Sequence, residues 1–204
     1  SCVDFYVYDM NIYLAKYGCA LFFHAGKLSS VHSEINIQGL HAAMPAPRLE
    51  SWQPVNCNEL LHDVLNLLSE RLLAEGVIVD WKPAMRLPPL LAQPIALRGA
   101  IKQLLINALD ALRSSRQKIR ELKLITRQEG DWIELDIMDS GPGIPDELRL
   151  KVFEPFFTTK QTGSGSGLGL SMVYGFVRQS GGRVEIESAP GQGTTVRLQL
   201  PRAL

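Results

Sequence analysis

Four short stretches of this sequence carry side chains whose types and spacing could do chemistry together. The first is Gln103-Leu-Leu-Ile-Asn107-Ala-Leu-Asp110-Ala111, where a lone amide, Asn107, sits in an otherwise apolar helical register. Burying an amide without a partner costs about 1–3 kcal/mol. Asn107 therefore either bonds locally as a core amide or offers its carbonyl oxygen to a hard cation such as Mg2+. The second is Asp139-Ser140-Gly141-Pro142-Gly143-Ile144, directly after an apolar alternating run. A carboxylate at a strand end can accept from an exocyclic amino group, and the glycines allow positive φ and close approach of a flat ring. Taken alone, the same pattern is a turn.

The third stretch is Phe153-Glu-Pro-Phe156-Phe157-Thr158-Thr159-Lys160. Its phenylalanines anchor a loop, and its end presents two hydroxyls and a cation suited to phosphate oxygens. The alternative is an apolar plug beneath a loop. The fourth is Gly163-Ser164-Gly165-Ser166-Gly167-Leu168-Gly169-Leu170, leading straight into a helical pattern. Free backbone N–H groups and a helix N-terminus together make a polyphosphate site. No Gly-Lys-Ser/Thr follows, so this is not a P-loop. No strand precedes it, so it is not a Rossmann fingerprint.

The elements that must position these stretches follow from periodicity. Asn58 is expected to cap a helix running to about Ala74, closed by Gly76. Val77–Trp81 is a strand, and Pro94 opens a second helix to Arg113. Glu121–Arg127 and Trp132–Met138 form a hairpin, Leu168–Ser180 a third helix, and Arg183–Ser188 with Thr194–Leu200 a last hairpin. Strands joined by hairpins and interleaved with helices describe an α+β chain: a two-layer α/β sandwich, a mixed sheet with helices on one face.

In this order and spacing the four stretches resemble the ATP-binding domain shared by histidine kinases, the gyrase B subunit, a heat-shock chaperone and the MutL repair protein (the GHKL group, with its Bergerat-type ATP-binding fold). Histidine kinases are the nearest match. Phe153–Lys160 is similar to their F box, Asp139–Gly143 and Gly165–Leu170 to their two glycine boxes, and Asn107 to the key position of their N box. Gly191-Gln192-Gly193-Thr194-Thr195 is similar to the turn before their last strand.

The resemblance implies ATP or ADP with Mg2+ as the ligand. Asn107 would bind the metal and Asp139 the adenine amino group. Gly141 and Gly143 would shape the purine pocket. Gly165, Ser166, Gly167, Leu168 and Gly169 would line the phosphates in a lid over residues 158–167 that orders around nucleotide. Lys160, with Thr158 and Thr159, would contact phosphate. Asp110 and Phe156 lie within the same boxes, and Thr194 or Thr195 would help place the base. One departure stands out: Gln103 occupies a position where histidine kinases often carry a second asparagine. A gyrase-like or MutL-like clamp fits poorly, since no glutamate precedes Asn107 on its helix, which offers Lys102 and Gln103 instead.

None of the histidines, His24, His32, His41 and His62, stands in the His-Glu/Asp-x-x-x-Pro context of a phosphoacceptor. The acceptor is therefore expected elsewhere, or the protein does not phosphorylate itself. Met44-Pro-Ala-Pro, Glu50-Ser-Trp-Gln-Pro-Val-Asn, Arg71-Leu-Leu-Ala-Glu-Gly-Val-Ile-Val-Asp-Trp-Lys-Pro-Ala and Leu87-Pro-Pro resemble nitrogen-fixation regulators of the NifL type. That likeness implies adenine nucleotide controlling the inhibition of a transcriptional activator.

Composition bounds the rest. With 21 basic against 21 acidic residues there is no electrostatic footprint for nucleic acid. The three cysteines, Cys2, Cys19 and Cys57, form no zinc pattern and fit a reducing cytoplasm. No apolar run reaches the roughly 18 residues of a membrane span. Residues 49–204 are expected to be the ATP-binding domain. Residues 1–48, with a proline-rich linker at 44–48, are expected to be a separate segment to which the sequence assigns no function: a remnant of a dimerisation helix, an appended piece of a larger protein or a foreign sequence. The expected protein partner is a response regulator or a transcriptional activator, with a homodimer formed through helices outside the domain.

Overall fold

The computed structural model describes residues 51–115, 117–158 and 167–203, all within one compact unit, Glu50–Leu204. The elements, in chain order, are β1 (Gln53–Val55), α1 (Cys57–Leu67), α2 (Ser69–Ala74), β2 (Ile78–Lys82), β3 (Leu90–Ala92), α3 (Pro94–Ser114), β4 (Glu121–Glu129), β5 (Trp132–Asp139), α4 (Asp146–Arg149), α5 (Gly169–Gln179), β6 (Arg183–Ser188) and β7 (Thr194–Pro201). A single 3-10 turn, Lys151–Phe153, follows α4.

Five strands form a sheet in the order β2-β4-β5-β7-β6. β2 runs parallel to β4, and every other pair is antiparallel. The sheet is therefore mixed, with the helices on one face, as the alternation of apolar residues implies. β1 and β3 form a separate antiparallel pair that periodicity had not revealed. Each has only three residues, too few for a period to register.

α3 is the central pillar. Leu97, Ile101, Leu104, Leu105, Ala108, Leu109 and Leu112 are buried along it, at the spacing of one helical face. They meet Leu122 and Leu124 of β4, Ile133, Leu135 and Ile137 of β5, and Leu198 and Leu200 of β7 in one apolar cluster. α1 adds Leu60, Leu61 and Val64.

The first helix differs from expectation in two ways. Its cap is Asn56, whose Oδ1 accepts from the N–H groups of Asn58 and Glu59 while its Nδ2 donates to Glu59 Oε1. The Asn56 side chain thus caps the helix, and Glu59 braces the capping amide. Asn58 is instead tied into tertiary structure: its Nδ2 donates to Ala84 O at 3.0 Å and its Oδ1 accepts from Thr126 Oγ1 at 2.7 Å. The helix also breaks at Leu68, giving α1 and α2 in place of one rod. Gly76, at φ 62°, ends α2 as expected.

The open face of the sheet carries charge. Arg197 Nε and Arg127 Nη1 donate to the two oxygens of Asp136 at 2.8 and 2.7 Å, and Arg127 Nη2 lies 2.5 Å from Glu134 Oε2. The Asp136 carboxyl loses solvation through burial, yet these guanidiniums hold it below its ordinary range. Among the described residues no helix is long and apolar enough to cross a membrane.

Leu105 is fully buried at the centre of α3. Leu105→Ala leaves a cavity there, and a urea-unfolding series should record a loss of about 3 kcal/mol.

Candidate functional site

One cavity of about 830 Å³ opens between α3, the C-terminal end of β5 and the N-terminal end of α5. Its size suits a drug-sized or nucleotide-sized ligand. α3 supplies one wall through Gln103, Asn107, Asp110 and Ala111. Ile137, Ile186 and Val196 of the sheet line the cavity with apolar side chains, and Ile144, Leu148, Val152 and Phe157 come from the segment after β5.

Asp139 lies at the end of β5, where the strand leaves the sheet. Its Oδ1 accepts from the Gly141 N–H at 2.8 Å, and a backbone bond from Thr194 also reaches the carboxyl. Gly141 is required here: a Cβ would sit 2.6 Å from Asp139 Oδ1 and 3.0 Å from Ala111 Cβ. Burial pushes the Asp139 carboxyl up to about 6, because the cavity strips water from the ionised form; the two backbone donors offset only part of this.

Thr194, the first residue of β7, pairs with Asp139 across the ladder. Its hydroxyl lies 2.9 Å from Ser188 Oγ, which donates to Gly193 O and accepts from the Ile144 N–H at 2.8 Å. Ser188 thus ties the glycine loop after β5 to the turn before β7. Nothing in the sequence around Ser188 marks it for this role.

Asn107 lies half-buried on the cavity wall, and its Oδ1 accepts from Gln103 Nε2 at 3.0 Å. The Gln103 side chain also fills the space where a Cβ on Gly169 would fall. The longer amide at position 103 therefore spans from Asn107 to the start of α5. Phe156 N donates to Gly167 O at 2.8 Å, which brings the aromatic loop against the start of α5. Gly167 needs its positive φ of 65° and its bare Cα, because a Cβ there would overlap the Phe156 backbone.

Of the residues singled out from sequence, Asn107, Asp110, Asp139, Gly143, Thr158, Gly167, Gly169 and Thr194 line this one cavity. Gly141 stands behind Asp139 and supports its carboxyl. Phe156 is 66% exposed with φ 69°, and its neighbour Phe157 lines the cavity instead. Leu168 caps α5. Thr195 follows Thr194 in β7, and strand alternation turns its side chain to the opposite face of the sheet. Thr159, Lys160, Gly165 and Ser166, and with them most of the expected lid, lie outside the described residues, as do His24, His32 and His41.

The Asp139 carboxyl has a consequence for stability. Its value in the fold is raised above the ordinary 3.8, so the fold favours the protonated form. The stability it contributes is complete below about pH 4 and is lost as pH rises through about 6. Asp139→Asn removes this loss. Urea titrations should find the variant gaining on the wild type by on the order of 3 kcal/mol between pH 4 and pH 7. A constant difference across that range would contradict the burial of the charge.

Residues 92–204 match the family described as histidine kinase-, DNA gyrase B-, and HSP90-like ATPase. The chain is 36% identical over 151 residues to the sensor kinase CckA of Brucella abortus, covering 69% of this chain and 16% of that protein. It is 36% identical over 156 residues to the signal transduction histidine-protein kinase AtoS of Escherichia coli, covering 76% of this chain and 25% of that protein. It thus spans about a quarter or less of these relatives. Both are named as kinases, and neither supports the likeness to NifL-type regulators. Among solved structures, the catalytic domain of histidine kinase ThkA superimposes with a TM-score of 0.66 at 25% identity, covering 74% of this chain and 96% of that one. The chain belongs to the histidine kinase-, DNA gyrase B- and HSP90-like ATPase family, and it carries the ATPase domain of the sensor histidine kinases.

Proposed function

We propose that the cavity binds ATP or ADP, with the purine at Asp139 and the phosphates running past Asn107 towards the N-terminus of α5. The observation that carries this reading is the single cavity shared by Asp139 and Asn107, with α5 starting at its rim. Two backbone donors reach the carboxyl, and the remaining lone pairs leave it capacity to accept from an exocyclic amino group. The apolar side chains of Ile137, Ile186 and Val196 suit a flat aromatic ring. The N-terminal turn of α5 suits anionic oxygens.

The donor set also fits Mg2+. The Asn107 Oδ1 is a hard oxygen on the cavity wall, and its bond from Gln103 occupies one of two lone pairs. Bound there, the ion would neutralise phosphate charge. Asn107 would orient it, Gln103 would fix the Asn107 amide, and the apolar lining would exclude water from the purine.

In the intact protein, the domain delivers the γ-phosphoryl group of ATP to a histidine on a helical segment outside residues 49–204. The support is the sensor-kinase family of the relatives and the context of His62. That histidine stacks on Trp81 at 5.9 Å, on α1 of the ATPase domain itself. The phosphoryl group then passes to a response regulator. We place the protein in the cytoplasm, where ATP is available, as a homodimer joined through helices outside the domain.

Isothermal titration with ADP and Mg2+ tests the binding half of this proposal, and labelled ATP with a histidine-bearing helical hairpin tests transfer. Asn107→Ala should weaken Mg2+-dependent binding at least tenfold, about 1.4 kcal/mol, while the metal-free affinity changes little. Equal loss with and without Mg2+ would contradict the metal role of Asn107.

A further inference from the structure

The wall of the proposed nucleotide site carries a carboxylate that a polyphosphate should not tolerate. Asp110 lines the cavity one helical turn beyond Asn107. Its Oδ1 lies 2.6 Å from Nη2 of Arg71, which projects from α2, 39 residues earlier in the chain. The Arg71 Nε donates to Glu75 Oε1 at 2.7 Å, and Arg120 Nη1 holds the Glu75 carbonyl oxygen at 2.7 Å. Glu75 and Asp110 keep 14% and 17% of their side-chain surface, so both charges are largely removed from water. Arg113 stands further off, at 3.9 Å from the same oxygen, with a 67% exposed side chain.

A guanidinium fixed at both Nε and Nη2 is not a loose surface partner. It is held at two points of its planar fork, and the Glu75 backbone is held in turn by Arg120, just before β4. Arg71 does not line the cavity, so it acts on a ligand there by its charge beside Asp110 and not by contact.

We propose that Arg71 is a positioning residue for nucleotide binding: its pair with Asp110 cancels negative charge on the cavity wall and makes the site compatible with a polyphosphate. This inference rests on the nucleotide reading given above. Losing Arg71 removes a positive charge from beside a carboxylate on the cavity wall, and the resulting penalty for an anionic ligand grows with each added phosphate. The effect therefore scales with ligand charge, which a merely structural role does not.

The experiment measures the affinities of the wild-type chain, Arg71→Met, Asp110→Asn and the double variant for ATP, ADP and adenosine in Mg2+-containing buffer. Thermal melts confirm that each is folded. Arg71→Met should weaken ATP on the order of tenfold, ADP less, and adenosine by less than about twofold. Adding Asp110→Asn should restore ATP to within about threefold of the wild type. Equal weakening of all three ligands, or no rescue in the double variant, would overturn the proposal. If Arg71→Met does not fold, Arg71→Lys, which keeps the charge, and Arg71→Gln, which does not, decide by the same three-ligand comparison. A loss of ATP affinity in Arg71→Gln that spares adenosine, with Arg71→Lys near the wild type, supports the proposal, and equal behaviour of the two variants overturns it. A wild-type chain that binds ADP and ATP while the variants fail these criteria sinks this inference alone; one that binds none of the ligands sinks the nucleotide reading with it.

Discussion

The site depends on one half-buried carboxylate. Asp139 is held at the mouth of β5 with its charge partly removed from water and only partly compensated by the backbone N–H groups of Gly141 and Thr194. A side chain kept in that state is a cost to the fold. It makes sense as a preformed acceptor for a donor that arrives with a ligand. The surrounding architecture serves to keep the carboxylate there. The bare Cα of Gly141 lets the loop fold back on it, and Ser188 binds the glycine loop to the turn before β7. The cluster around α3 fixes the opposite wall.

The second wall is organised by charge and amide pairing. Gln103 bonds to Asn107, and Arg71 bonds to Asp110, so consecutive turns of α3 present side chains whose orientations are set by neighbours. Prearranged polar groups of this kind lower the ordering cost of binding. They also connect the site to distant elements. Arg71 draws in the end of α2, and Gln103 abuts Gly169 at the start of α5. The open face of the sheet is built separately, around Asp136 and its two arginines, and leaves the cavity untouched.

Much of the cavity could be read from residue types. Asp139 and Asn107 announce themselves because a carboxylate after an apolar strand and an amide in an apolar helix are expensive to bury. Gly143, Gly167 and Gly169 are visible because several glycines before a helix rarely serve packing alone. The long hairpins and α3 follow from periodicity. What escaped depends on contacts distant in sequence. Asn56 and Asn58 are equally good caps locally, and only Ala84 and Thr126 decide that Asn58 is engaged elsewhere. The β1–β3 pair joins segments whose strands are too short to show alternation. Thr194 and Thr195 are the same residue type, and the register of β7 alone separates them. The Arg71–Asp110 pair spans 39 residues and leaves no local trace.

The most direct test of the account is the affinity for ADP of the wild-type chain and of Asp139→Asn, measured side by side by calorimetry at pH 7.5. The account predicts that the wild type binds and that the variant, though at least as stable, loses most of that affinity. Equal ADP affinity in the two proteins, or no binding to the wild type, would contradict it.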